Sequence, residues 1–146
     1  MALNFELKNH NGDAVTQDDY LDGGLVMFFY PRAMTTGCTV EACDFRDNYS
    51  DLVESGYNVV GVSPDPPELN AKFREKEGLN FDLLSDEDHT LAEDLGAWGE
   101  KKLYGKTITG LIRSTFVFDS SGEMVREYRN VKATGHVERV KADLLG

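Results

Sequence analysis

The sequence has little of what commits a protein to a membrane, to the extracellular space or to nucleic acid. No apolar run approaches the roughly 18 residues that span a bilayer, and residues 1–8 lack the basic segment and apolar core of a secretory signal. Lysine and arginine number 15 against 26 aspartates and glutamates, so a net charge of −11 repels nucleic acid and anionic membrane surfaces. We therefore expect a cytoplasmic protein with no nucleic acid and no membrane as partner.

Cysteine is equally scarce, because Cys38 and Cys43 are the two in the whole sequence. Two cysteines are too few for the disulfide framework of a small secreted domain, and in a cytoplasmic chain they are more often catalytic, redox-sensing or inert than structural. No recognised set of zinc ligands accompanies them, since the histidines lie in unrelated segments, where we expect surface positions: His10, His89 and His136. We therefore expect no metal site.

The most informative stretch of the sequence reads as strand, loop and helix. Residues 25–30 are an unbroken apolar run typical of a strand buried on both faces, and Pro31 stops it because proline cannot donate to a sheet. Further on, apolar residues recur at helical spacing, at Ala42, Phe45, Tyr49, Leu52 and Val53. This pattern predicts a helix that begins near Thr36 and is capped by Gly56, with Cys38 in its first turn, facing the protein body.

The position of Cys38 has chemical meaning, because the unpaired N–H groups and the positive end of a helix dipole favour a thiolate over a thiol. Cys43 follows five positions later, which in an intact helix separates the two Cα atoms by roughly 8.7 Å. A disulfide needs less than about 7 Å. The pair can bridge only if the first turns of the helix unwind, so a disulfide here is a reaction intermediate. Cys43 lies on a solvent-accessible flank shared with Arg46 and Asp47.

Strands and helices alternate along the remainder of the chain. The dipeptide Asn11-Gly12 predicts an N-terminal β-hairpin of residues 4–8 and 14–16. Beyond the cysteine helix we predict strands at 57–63, 81–84, 111–119 and 123–130, helices at 66–78, 91–96 and 134–145, and a loop rich in glycine and lysine at 99–110. This order predicts a single α/β domain over residues 1–146, with a mixed central sheet flanked by helices, and a thioredoxin-like fold fits it best.

The segment from Pro31 to Cys38 reads Pro-x-x-x-Thr-x-x-Cys, and Cys43 follows it. In this pattern the chain resembles the peroxiredoxins, and within them the peroxiredoxin Q or bacterioferritin comigratory protein branch, which places a resolving cysteine five residues after the first. The resemblance extends over nearly the whole chain, through residues 41–47, 59–63, 84–86, 98–101 and 113–116. Thr36 departs from the proline that commonly precedes Gly-Cys in this branch; the change affects the rearrangement of the first turn but removes no reacting group.

The resemblance implies a thiol-dependent peroxidase that reduces hydrogen peroxide and organic hydroperoxides. Cys38 would be the peroxidatic cysteine, whose thiolate attacks the peroxide and becomes a sulfenic acid. Cys43 would condense with it into an intrachain disulfide, which thioredoxin or a similar dithiol reduces. The resemblance also implies no bound cofactor and a monomer or weak homodimer.

Four further residues receive roles from the same resemblance. Arg113 would favour the thiolate and donate hydrogen bonds to both peroxide oxygens, Thr35 would offer its hydroxyl to the thiolate and the peroxide, Pro31 would shield the pocket from water, and Glu41 would orient Arg113 as an ion pair. Plainer structural roles also fit these residues. Arg113 would be a surface charge on a strand edge and Thr35 a residue at the helix start. Pro31 would only stop the strand, and Glu41 would be a first-turn carboxylate favoured by the helix dipole.

Two other functions remain open from the residues alone. A thiol-disulfide oxidoreductase shares the fold, although the chain lacks a Cys-x-x-Cys at the strand-to-helix junction. A redox-responsive binding module would use oxidation of Cys38 and Cys43 to unwind a helix and change partners. Taken singly, Cys38 also fits a buried small apolar residue and Cys43 an inert thiol. The lysines of the loop at 99–110 either steer anions or a reductase, or are solvated side chains.

Overall fold

A computed structural model of the chain describes residues 2–103 and 105–145, and within these it contains a mixed arrangement of strands and helices. The strands are β1 (Glu6–Asn9), β2 (Ala14–Thr16), β3 (Gly24–Phe29), β4 (Tyr57–Ser63), β5 (Asp82–Ser85), β6 (Trp98–Leu103), β7 (Lys106–Leu111), β8 (Ser114–Phe118) and β9 (Met124–Tyr128). The helices are α1 (Thr36–Glu54), α2 (Pro67–Glu77), α3 (Thr90–Leu95) and α4 (His136–Leu145), with a 3-10 turn at Gln17–Asp19.

Seven strands form one sheet in the order β2-β1-β5-β4-β3-β8-β9. Strand β3 pairs in parallel with β4 and antiparallel with β8, and β1 with β2 forms the N-terminal hairpin. The prediction of a mixed central sheet with an N-terminal hairpin is therefore confirmed. The strand that leads to the cysteines lies in the interior of the sheet, where hydrogen bonds on both edges fix its position.

Both faces of β3 are covered, as its unbroken apolar sequence predicts. Val26, Phe28 and the following Tyr30 pack on one side of the sheet with residues of α1, α2 and α4. Met27 and Phe29 pack on the opposite side with residues of α3 and β8. All of these side chains are fully buried. A strand held between two apolar layers gives the loop that follows it a rigid starting point.

The predicted loop at 99–110 is wrong, because this segment forms an antiparallel hairpin of β6 and β7, with Gly99 opposite Gly110 and Lys101 opposite Ile108. Most of β7 is exposed, so this strand has no alternating buried face that the sequence would reveal. The strand predicted at 111–119 begins later, at Ser114, and this leaves Arg113 in the short connection between β7 and β8.

Three predictions about burial are also wrong. Val53 of α1 is 41% exposed, because the buried stripe of the helix runs through Leu52 instead. The side chain of His136 is buried in the core, and that of His10 is 8% exposed.

Helix length and polarity rule out a membrane-crossing helix among residues 2–103 and 105–145. The same residues contain no group of three or more histidine, cysteine or acidic side chains placed to hold a metal ion.

Candidate active site

The loop between β3 and α1 is anchored to the end of β4 and to the segment that follows it. The Tyr30 N–H donates to the Val62 carbonyl at 3.0 Å, and the Ala33 N–H donates to Asp65 Oδ2 at 2.7 Å. Met34 then adopts a left-handed backbone conformation with φ 64°, which few residues other than glycine adopt without an energetic cost. These constraints fix the direction in which the chain enters α1.

Cys38 is the third residue of α1, and its side chain is fully buried. The Nη2 of Arg113 donates to its sulfur at 3.4 Å. Sheet register explains how residues so distant in sequence meet: Ser114 pairs with Phe29 at the end of β3, so Arg113 lies beside the start of the loop to Cys38. A cationic donor therefore contacts this sulfur in the first turn of a helix.

Arg113 also binds Glu41, one turn along the same face of α1 from Cys38. Its Nη1 donates to Glu41 Oε1 at 2.7 Å, and the Glu41 side chain is fully buried. Burial raises the pKa of the Glu41 carboxyl to about 7, against the opposing effect of Arg113. Burial lowers the pKa of Arg113, but Glu41 and Cys38 outweigh it and the net change is upward. Arg113 thus stays charged between the sulfur and the carboxyl group.

The second oxygen of Glu41 faces His136, a residue that the sequence did not bring to the site. Glu41 Oε2 is buried and has no hydrogen-bond partner within residues 2–103 and 105–145, and His136 Nε2 lies 3.9 Å from it. Burial, together with Arg139 and Arg113, lowers the pKa of His136 to about 4, so its imidazole is neutral at pH 7. The sequence signal for its burial is its spacing, because His136 lies one helical turn before the buried Val140.

Cys43 has a different environment, on a half-exposed flank of α1. Its sulfur donates to Glu77 Oε1 at 3.7 Å, and Arg46 Nη1 donates to the Glu77 carbonyl oxygen. Burial raises the pKa of the Cys43 thiol; Arg46 opposes this effect and Glu77 adds to it. Cys38 and Cys43 are both free thiols, and α1 is continuous across them. The prediction that Cys43 lies on an accessible flank near Arg46 is confirmed.

Thr35 and Pro31 complete the set of residues considered from the sequence. Thr35 immediately precedes α1, and its hydroxyl donates to the Arg32 carbonyl at 2.9 Å rather than to sulfur. Pro31 is half-buried and lies two residues after the end of β3. Of the six residues, three are joined by hydrogen bonds: Cys38, Arg113 and Glu41. The other three lie on the same loop and helix, where Thr35 and Cys43 have different hydrogen-bond partners.

The β6–β7 hairpin contributes a second cation near the thiol. Lys101 Nζ donates to the Leu111 carbonyl at 2.7 Å, which holds the side chain across the hairpin. Burial and the charge of Arg113 lower the pKa of Lys101, whereas Cys38 raises it. Lys101 is thus close enough to interact electrostatically with both, while Lys102 and Lys106 are exposed.

Comparisons with known proteins agree with this geometry. Residues 1–127 match the model of the AhpC/TSA family. A putative peroxiredoxin of Mycobacterium tuberculosis is 51% identical over 140 residues, covering 96% of this chain and 89% of the relative. Peroxiredoxin Bcp of Bacillus subtilis is 46% identical over 136 residues, covering 93% and 87%.

Solved structures agree as well. The bacterioferritin comigratory protein of Xanthomonas campestris, studied for its alkyl peroxide reduction activity, superposes with a TM-score of 0.89 at 34% identity and covers 96% of this chain and 89% of that one. The predicted thioredoxin-like fold of the peroxiredoxins is therefore confirmed. This chain belongs to the AhpC/TSA family and, within it, to the peroxiredoxins of the bacterioferritin comigratory protein, or peroxiredoxin Q, branch.

Proposed function

We propose that this protein is a thiol-dependent peroxidase in which Cys38 reduces hydrogen peroxide and organic hydroperoxides. The observation that carries the proposal is the hydrogen bond from Arg113 to the buried Cys38 sulfur in the first turn of α1. The donor stabilises negative charge on sulfur before the reaction and faces the place where negative charge develops on oxygen during it.

In the first step the Cys38 thiolate attacks the terminal oxygen of the hydroperoxide. The S–O bond forms as the O–O bond breaks, so the cysteine is oxidised to a sulfenic acid and the leaving oxygen, after taking a proton, departs as water or alcohol. Arg113 is the cation that stabilises the leaving oxygen. We assign Glu41 to the orientation of Arg113, Pro31 to the exclusion of water, and Thr35 to substrate contact after its hydroxyl turns from the Arg32 carbonyl.

In the second step the Cys43 thiol attacks the sulfenic sulfur of Cys38, which releases water and forms an intrachain disulfide. The intact helix holds the two Cα atoms roughly 8.7 Å apart, so the first turns of α1 unwind before the bond forms. Cys43 must also leave its contact with Glu77. A dithiol reductant such as thioredoxin then exchanges with this disulfide and restores both thiols. Lys101 adds positive charge beside the thiol and the entering peroxide.

The remaining features of the proposal follow from the family and from composition. We propose that residues 1–146 form one domain, that the protein acts in the cytoplasm as a monomer or weak homodimer, and that it needs no cofactor because sulfur alone carries both electrons. The chain has no Cys-x-x-Cys, which argues against a general thiol-disulfide oxidoreductase. A redox sensor differs from the proposed enzyme in that it reacts once instead of cycling.

Intact-mass analysis after one equivalent of hydrogen peroxide tests the two cysteine assignments. We expect the reduced wild type to lose the mass of two hydrogen atoms, as a disulfide forms. The Cys43→Ser variant is expected to stop at a sulfenic acid, which dimedone captures on Cys38, and Cys38→Ser is expected to remain unmodified. A dimedone adduct on Cys43, or a wild type that does not react, would overturn the proposal.

A further inference from the structure

We propose that His136, the first residue of α4, is a positioning residue for the peroxidatic centre, acting through Glu41 on Arg113 and thereby on Cys38. The inference rests on the proposed function, because it assigns a role within the same reaction. It is carried by a continuous series of polar atoms: His136 Nε2 lies 3.9 Å from Glu41 Oε2, Glu41 Oε1 accepts from Arg113 Nη1 at 2.7 Å, and Arg113 Nη2 donates to the Cys38 sulfur at 3.4 Å.

Three elements hold the His136 ring in place, and its side chain is 2% exposed. The ring forms T-shaped pairs with Phe45 of α1, at 6.4 Å between centroids, and with Tyr128 of β9, at 5.5 Å. Nε2 is 2.7 Å from the hydroxyl oxygen of Thr115 on β8. An imidazole fixed on three sides cannot turn away from Glu41 without displacing core side chains. Its nitrogen therefore forms a fixed part of the environment of the carboxyl group.

Glu41 needs such a group because its second oxygen is buried without a hydrogen-bond partner among the described residues. A buried carboxyl oxygen in that condition is costly, and an ionised one more so. The gap of 3.9 Å exceeds a hydrogen bond, but closing it by roughly 1 Å would make one. Without the nitrogen, the side-chain orientation in which Glu41 holds Arg113 is less stabilised.

Imidazole suits this position in either protonation state of Glu41. Nε2 has either one proton or one lone pair, and both Thr115 and Glu41 lie beside it. When the carboxylate is ionised, a proton on Nε2 is shared between Thr115 Oγ1 and Glu41 Oε2; when the carboxyl is protonated, the proton of the ring moves to Nδ1 and Nε2 accepts from the Thr115 hydroxyl or the carboxyl O–H. The charged and titratable groups around the ring are Glu41 on α1, Arg113 before β8, Arg139 on α4 and Tyr128 on β9. Burial and the two cations lower the pKa of the ring and keep it neutral, so it can exchange tautomers without gaining charge.

The test measures the second-order rate of sulfenic acid formation at Cys38 as a function of pH, by rapid quenching with dimedone and mass spectrometry. We expect His136→Phe, which keeps the ring but removes the nitrogens, to lower this rate by about tenfold to a hundredfold, the loss that follows when a reacting arrangement is displaced by about 1 Å. His136→Gln restores a donor and an acceptor and is expected to recover part of the rate. Val140→Ala, one turn along α4 and fully buried, is the matched control for loosened packing and should keep the wild-type rate.

Glu41→Gln separates a role through Glu41 from a general structural effect. If His136 acts through Glu41, adding His136→Phe to Glu41→Gln lowers the rate little further, because the contact is already lost. A well-folded His136→Phe variant with the wild-type rate and pH profile overturns the inference. So does an equal loss of rate when His136→Phe is introduced into the wild type and into Glu41→Gln.

A measurement on the wild type keeps the inference testable should the variants not fold. The ring ¹⁵N resonances of His136 in the reduced protein are expected to report a change of tautomer as Glu41 ionises near pH 7. Ring resonances that stay constant through this range overturn the inference. A wild type that shows the tautomer change yet fails to react with peroxide would instead refute the proposed peroxidase function.

Discussion

Removing either Glu41 or His136 is expected to uncover a pH dependence of folding stability that the other residue masks. Both side chains are buried, but burial acts on them in opposite directions, raising the pKa of Glu41 from 4.5 to about 7 and lowering that of His136 from 6.5 to about 4. The unfolded chain releases the Glu41 proton at a pH where the folded protein keeps it. It binds a proton on His136 at a pH where the folded protein does not.

The signs follow from these proton counts. The contribution of Glu41 to the free energy of unfolding is fully present below about pH 4.5 and is lost as the pH rises to about 7. The contribution of His136 is fully present above about pH 6.5 and is lost as the pH falls to about 4. Each change in pKa is about 2.5, which at 1.36 kcal/mol per unit amounts to about 3 kcal/mol. Over the shared window the two slopes nearly cancel.

Urea unfolding followed by far-ultraviolet circular dichroism, in a reductant and at several values between about pH 4 and about pH 8, measures both slopes. Subtracting the His136→Phe curve from that of the wild type should give a difference that rises by about 3 kcal/mol with pH; subtracting the Glu41→Gln curve should give one that falls by a similar amount. The absolute stability of Glu41→Gln also falls because Arg113 loses its partner, so the slope decides. Two variants that both keep the wild-type pH profile would refute the reasoning.

Three other substitutions test parts of the site. Arg113→Met is expected to lower the rate of peroxide reduction in stopped-flow assays by about 10²- to 10³-fold, whereas Arg126→Met, on the exposed side of β9, leaves it unchanged; similar rates for the two would contradict the role of Arg113. Glu77→Gln removes a charge that raises the pKa of the Cys43 thiol. Disulfide formation, followed by mass spectrometry of quenched samples, should then be a few times faster below that pKa and equally fast above it. A slower rate would mean that Glu77 assists Cys43. Gly37→Ala places a Cβ 3.1 Å from Arg113 Nη2 and should lower the peroxide rate about tenfold with little change in melting temperature, while an unchanged rate would show that the guanidinium tolerates the displacement.

Local sequence patterns predict the elements of the site well, because those elements are decided by strong local signals. The apolar run at 25–30 and the proline after it correspond to β3 within one residue at each end, and the helical spacing after Cys38 matches α1. Burial of Cys38 follows from the same spacing. Strand β7 lacks such a signal, since most of its residues are exposed and none of them alternate with buried ones.

Contacts between distant residues are the part that local patterns miss. Arg113 and Cys38 are 75 positions apart, and it was the family resemblance, not any periodicity, that paired them. The sequence predicts a surface position for His136 because it shares no ligand set with the other histidines. Its burial depends on α1, β8 and β9 packing around the start of α4. The contact between Cys43 and Glu77 likewise forms only because α2 packs beside α1.

The most direct test of the central claim is steady-state consumption of hydrogen peroxide, coupled through thioredoxin and its reductase to NADPH oxidation, by the wild type, Cys38→Ser and Cys43→Ser. The account predicts continuous turnover by the wild type, no peroxide reaction by Cys38→Ser, and a single turnover without recycling by thioredoxin for Cys43→Ser. Undiminished turnover by Cys38→Ser, or no reaction by the reduced wild type, would contradict it.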